Sequence, residues 1–86
     1  MQPWYVYILE CSDSTYYVGI TNDLERRLLK HNSGKGAKYT RSRVPVVLKR
    51  SFEVADRSSA LKLESYIKKR NRRQKSLIIE GGLNNV

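Results

Sequence analysis

A chain of 86 residues leaves room for one domain with a small core, since at this size only about 60% of the unfolded surface is hidden on folding, and a second domain is not expected. The net charge of +9 is unevenly placed: Arg26 through Arg50 holds nine Lys or Arg and no acid, Lys68 through Lys75 holds six more, and the first twenty residues hold none. That asymmetry points to a polyanion, nucleic acid before membrane; one cysteine excludes an internal disulfide, and with a single histidine no zinc site can be assembled.

In chain order, Trp4 to Leu9 and Thr15 to Ile20 are aromatic and aliphatic and read as two strands of a hairpin, with Cys11-Ser12-Asp13-Ser14 as the turn. Alternation puts Tyr5, Tyr7 and Leu9 on one face of the first strand and Trp4, Val6 and Ile8 on the other, and it lets Tyr17 share a face with Gly19. A helix follows, with Asn22 as N-cap, Glu25 completing a capping-box pattern and Leu24 and Leu28 marking its apolar stripe. Arg27 and His31, four apart, lie on that same face.

Residues 33 to 43 form a Gly, Lys and Arg loop, either a solvated connection or an element gripping a nucleic-acid strand. Val46-Val47-Leu48 with Ser51-Phe52 gives a third strand entered through Pro45. Two helices are predicted at roughly 57 to 70, capped by Asp56 or Ser58, and 72 to 80, with Asn71 as the cap between them. The first has an inner stripe of Ala60, Leu63 and Ile67, and Glu64 falls inside it. A carboxylate there requires a partner: an ordinary inter-helix ion pair with Arg27 or Arg26, or a metal. The expected fold is α+β, a three-stranded antiparallel sheet flanked by helices, with residues 1–80 as a single domain and 81–86 as a short polar tail. No signal peptide and no membrane-crossing stretch is legible, so a cytoplasmic location is the default, with nucleoid association as a further option.

Tyr5-Val6-Tyr7, then Tyr17-Val18-Gly19, then Arg27, His31 and Glu64 resemble the GIY-YIG nuclease family, with the two triplets standing for the family's two motifs. The segment Ser33-Gly34-Lys35-Gly36-Ala37-Lys38-Tyr39-Thr40 is similar in particular to its small single-domain branch, found mostly in bacteria. The likeness spans about residues 4 to 80. Tyr5 replaces the glycine of the first triplet, which a strand tolerates, and Ser76 stands near the position where many family nucleases carry an asparagine.

The resemblance implies a metal-dependent DNA endonuclease, with branched or flapped DNA as candidate substrates and RNA as a further one. Tyr7 is then the candidate base, Tyr17 orients water or phosphate, and His31 contacts phosphate or shuttles a proton. Arg27 offers a bidentate fork to the phosphate. A lone carboxylate such as Glu64 suits Mg2+ or Mn2+, weakly held without nucleic acid, because waters and phosphate complete the sphere. Next to Arg27 or a metal, the Tyr7 phenolate is expected to become more accessible. Lys35, Lys38, Tyr39, Arg41, Arg43, Lys68, Lys69, Arg72 and Arg73 are the candidate nucleic-acid contacts. Two other readings stay open for what is expected to be a monomer: a binding module of the same fold that cleaves little, and a basic subunit active only on a protein partner.

Overall fold

The computed structural model describes residues 2–83. Its elements are β1 (Trp4–Glu10), β2 (Tyr16–Thr21), α1 (Leu24–Asn32), β3 (Val47–Val54), α2 (Arg57–Lys68) and α3 (Arg72–Gly81). The sheet order is β2-β1-β3, antiparallel on both sides, so the fold is the expected α+β arrangement. β1 takes the centre because it alone is apolar on both faces: Val6 and Ile8 are buried on one side, Tyr7 and Leu9 on the other. Each such side chain contributes about 1.5–3 kcal/mol when fully withdrawn from water, which an edge position would forfeit.

The two faces carry separate cores. Val6, Ile8 and Val18 pack with Ala60, Ile67 and Ile78 from α2 and α3, while Tyr7, Leu9, Cys11 and Val46 pack with Leu24 and Leu28 from α1 and with Leu48. The catalytic candidates of β1 and β2 therefore face α1. In the hairpin turn Ser14 adopts a positive φ of 68°, and the Asp13 carboxylate accepts from the Thr15 amide and hydroxyl at 3.1 and 2.6 Å.

Three boundaries differ from expectation. The N-cap of α1 is Asp23, not Asn22: its carboxylate accepts from the Arg26 amide at 3.1 Å. Asn and Asp cap about equally well, and the Thr21 hydroxyl decides between them by accepting the Asp23 amide at 3.0 Å. Glu25 is thereby shifted one place along the helix, out of the capping box. Second, the expected third strand starts one residue later and runs two further, Val47–Val54, and it carries a bulge, since the register passes from Ile8 opposite Arg50 to Leu9 opposite Leu48 and leaves Lys49 unpaired. Third, α2 stops at Lys68, two residues early, and Asn71 then caps α3 through a complete capping box with Gln74. Asp56 is the cap that α2 uses. Beyond α3, Leu83 packs on the α2/α3 core, and residues 84–86 of the expected polar tail lie outside the described residues.

Candidate active site

Tyr7 of β1 stands directly opposite Gly19 of β2, and Tyr17 lies two residues along on the same face, with its ring centroid 6.4 Å from that of Tyr7. The Tyr7 ring lies over the glycine: a Cβ at position 19 would come within 2.6 Å of Tyr7 Cζ. Absence of a side chain is thus what lets the phenol approach β2 this closely. Gly19→Ala should displace the ring and destabilise the domain by about 1–3 kcal/mol, the usual range for overpacking. Urea unfolding checks this, and unchanged stability would contradict the close approach.

α1 delivers the other two groups to the same hydroxyl. Arg27 Nε donates to the Tyr7 oxygen at 3.3 Å, and His31 Nε2 lies 3.0 Å from it. His31 is fully buried, edge-on to both Tyr7 and Tyr17. It is held by tertiary contacts, not by the helix end near Asn32, whose side chain instead brackets Val46 with two bonds of 2.7 and 3.1 Å. Burial, and after it the Arg27 charge, lowers the His31 pKa from 6.5 to about 4, so the ring is neutral at physiological pH. Burial also pushes the Tyr7 phenol above its ordinary value. The hydrogen bond from Arg27 opposes this, as expected, but loses to desolvation, while the charge of Glu64 adds to the upward push. In the free protein Tyr7 is therefore a phenol and not the more accessible phenolate predicted from the sequence.

α2 covers the opposite face of the sheet, packing on β2 and β1, and the charge of Glu64 is the weakest of the influences on the Tyr7 phenol. The Glu64 side chain is 17% exposed and pairs with Lys68 at 3.2 Å, one turn along the same helix. The inter-helix ion pair with Arg27 or Arg26 is not what forms: among the described residues, the Glu64 ion pair is with Lys68. Tyr39 stacks on Tyr17 with centroids 6.1 Å apart.

The basic candidates divide into braced and free groups. Arg43 binds Asp13 at 2.9 Å and the Tyr39 carbonyl at 2.7 Å, with its guanidinium 4.0 Å over the Tyr39 ring. Arg72 donates to the Ser14 carbonyl and lies over Tyr16, whose hydroxyl is 3.1 Å from Ser76 Oγ. Both arginines thus hold the hairpin turn. Arg41 donates to the Gly36 carbonyl at 3.3 Å. Lys35, Lys38, Lys69 and Arg73 are exposed, and Lys68, also exposed, is held by Glu64. One basic feature lies outside the candidates read from the sequence: an open cavity of about 430 Å³ where Arg26, Arg27 and Lys30 meet Gln2, Asn22 and Asp23. Its signal is the i, i+4 pair Arg26 and Lys30, two like charges one turn apart that repel unless an anion joins them. The described residues also contain no cluster of three or more His, Cys, Asp or Glu. A single half-buried carboxylate with one flank taken by a flexible lysine nonetheless fits a hard, highly hydrated cation that is shared with a phosphate.

Residues 3–76 match the family model of the GIY-YIG catalytic domain. A UPF0213 protein of Bacillus cereus is 50% identical over 76 residues, 88% of this chain and 79% of its own length, and one of Halobacterium salinarum is 47% identical over 74 residues, 86% and 96% respectively. The solution NMR structure of a UPF0213 protein from Bacillus halodurans superposes with a TM-score of 0.59 at 42% identity, covering 96% of this chain and 90% of that one. That of a protein from E. faecalis gives 0.64 at 41% identity, covering 93% and 85%. The family comprises nucleases that act on DNA and generally depend on a divalent metal. With Arg27 and His31 of the family pattern joined at the Tyr7 hydroxyl, Tyr17 beside them and the family model spanning most of the sequence, the chain belongs to the GIY-YIG family, in its UPF0213 branch.

Proposed function

We propose that this protein is a divalent-metal-dependent endonuclease that hydrolyses phosphodiester bonds in DNA, with branched or flapped forms as the substrate class. The observation that carries the reading is the convergence of Arg27, His31 and Tyr7 on one buried hydroxyl within electrostatic reach of Glu64. Arg27 binds the scissile phosphate, its cation compensating the charge that builds on the phosphoryl oxygens. The Tyr7 oxygen takes the proton of the attacking water and passes its phenolic proton to the neighbouring His31 as the water oxygen bonds to phosphorus and the bond to the leaving oxygen breaks; Tyr17 orients the reactants. Glu64 would hold Mg2+ or Mn2+, which when bound supplies positive charge at the phosphoryl and leaving oxygens.

The Arg26–Lys30 cavity, sharing Arg27 with the Tyr7 site, is where the strand's neighbouring phosphates lie in this reading. Neutralising Arg26 and Lys30 should lower the log–log salt slope of DNA binding by about 0.9 for each phosphate that is no longer neutralised. In the Arg72/Arg73 pair most of the change should come from Arg73, because Arg72 is engaged by Ser14 and Tyr16. A slope that neither double substitution moves would place these cations in solvent.

Cleavage of a panel of branched, flapped and linear duplexes with Mg2+ or Mn2+, wild type against Glu64→Ala, tests the assignment. A second reading, a DNA-binding module of the same fold with little cleavage, draws on the Glu64–Lys68 pair and on the desolvated phenol of Tyr7. Binding to the whole panel with no metal-stimulated cleavage would select it.

A further inference from the structure

The segment from Ser33 to Thr40, part of the family likeness, has no part in the chemistry above, yet Gly36 and Thr40 within it sit against the His31 imidazole. Gly36 is buried against the imidazole, and a Cβ there would lie 2.8 Å from His31 Cα and 2.5 Å from Nδ1. Thr40 is fully buried, with its Oγ1 2.7 Å from His31 Nδ1 and 3.0 Å from the Ala37 carbonyl.

The directions of these bonds follow from what each atom is able to do. With Arg27 Nε donating to the Tyr7 oxygen, the phenolic proton needs an acceptor, and His31 Nε2 is the one beside it; the Thr40 hydroxyl then donates to the Ala37 carbonyl, which also accepts the Thr40 amide at 3.0 Å, and Oγ1 is an acceptor toward Nδ1. Nδ1 then carries the imidazole proton. A neutral ring has only one, so the Nε2 lone pair faces the Tyr7 hydroxyl, which donates to it at 3.0 Å while accepting from Arg27 Nε at 3.3 Å. In the opposite tautomer the Tyr7 oxygen would meet two donors and its own proton would need another acceptor, while the Ala37 carbonyl would keep only the Thr40 amide. Only the first arrangement gives every donor in the chain an acceptor.

We infer that Thr40 is a positioning residue: it fixes His31 as the Nδ1–H tautomer, so that Nε2 accepts the proton of Tyr7 when the Tyr7 oxygen takes one from the attacking water. Resting on the nuclease reading, the step balances: one water proton arrives at Tyr7, the phenolic proton passes to His31 Nε2, and the resulting imidazolium donates through Nδ1 to Thr40 as before. No net charge develops on Tyr7. One of the two causes that hold His31 neutral, the Arg27 charge, is offset when a phosphodiester binds Arg27, so the ring becomes a better acceptor when substrate is in place. Gly36 serves the same device by letting the Thr40 loop close onto the ring.

The test compares Thr40→Val, which keeps the shape and removes the oxygen, with Thr40→Ser, which keeps the oxygen. The 15N spectrum of the His31 imidazole is expected to show the proton on Nδ1 in the wild type and in Thr40→Ser, and to show loss of that tautomer preference in Thr40→Val. On a cleaved substrate kcat should fall on the order of a hundredfold in Thr40→Val, the lower end of what a positioned proton acceptor contributes, with KM unchanged and Thr40→Ser close to wild type. A wild-type proton on Nε2, or a Thr40→Val protein with unaltered tautomer, overturns the inference. So does unaltered kcat. If no substrate is cleaved by the wild type, the nuclease reading fails, and the tautomer measurement still decides the assignment of Thr40. Should Thr40→Val not fold, the wild-type and Thr40→Ser spectra decide it.

Discussion

Glu64→Ala is expected to abolish metal-dependent cleavage while leaving DNA affinity nearly intact. Positive charge held at a phosphoryl centre contributes several kcal/mol to the transition state, and at about 1.36 kcal/mol per tenfold the loss is on the order of a thousandfold or more. Affinity should not suffer, because a carboxylate beside a phosphate repels it. Stability should hardly change either: the ion pair removed is with Lys68 in the next helical turn, an i, i+4 pairing worth about 0.3–0.5 kcal/mol. Glu64→Gln, which keeps the volume and removes the charge, should behave like Glu64→Ala. Parallel measurement of cleavage, binding and urea unfolding separates the outcomes. Marked destabilisation with no metal-stimulated cleavage to lose in the wild type would make Glu64 a structural residue and leave only nucleic-acid binding.

How far the sequence alone reaches is clearest from single residues. The strand faces were legible because alternation in β1 is strict: Val6 and Ile8 had to face one core, Tyr7 and Leu9 the other. The stripe of α1 likewise put Arg27 and His31 beside Leu24 and Leu28, where the structure uses them. The bulge at Lys49 was not legible, because two consecutive cations inside an apolar run look the same whether they end a strand or bend it. Nor were the tasks of Arg43 and Arg72, since composition counts a charge without saying that Asp13 or the Ser14 carbonyl already holds it. Thr40 escaped for a related reason. Its role is a direction of hydrogen bonding to a residue nine positions away across a loop, and loops carry no periodicity from which to read it. Burial of Tyr7 was legible as a pattern, but not its consequence, because the contest between desolvation and Arg27 is settled only by how completely the phenol is covered.

Acid should weaken the free protein well before its carboxylates protonate, and His31 is the reason. Its folded pKa, about 4, lies below the unfolded value near 6.5, so between these two the unfolded state binds more protons and stability rises with pH. The contribution is fully present above pH 6.5 and is lost as pH falls toward 4, by about 3 kcal/mol at pH 4, a large share of the 5–15 kcal/mol typical of a small domain. The titratable groups bonded into this network do not blur this window: burial holds Tyr7 as a neutral phenol there, and Arg27 stays charged. Asp13 and Asp56, whose carboxyls are held below their ordinary value by hydrogen bonds from Thr15 and Ser59, stabilise above pH 3.8 and lose that contribution only below it. Urea unfolding at intervals from pH 7 to 4 should therefore show a steep fall in the wild type and a much flatter one in His31→Gln, which is less stable at neutral pH but has no proton to take up. Equal slopes in the two proteins would mean that the imidazole meets solvent, and a ring open to solvent would be charged in mild acid and unable to accept from Tyr7. The same burial that makes the fold acid-sensitive is what keeps Nε2 free for the phenol.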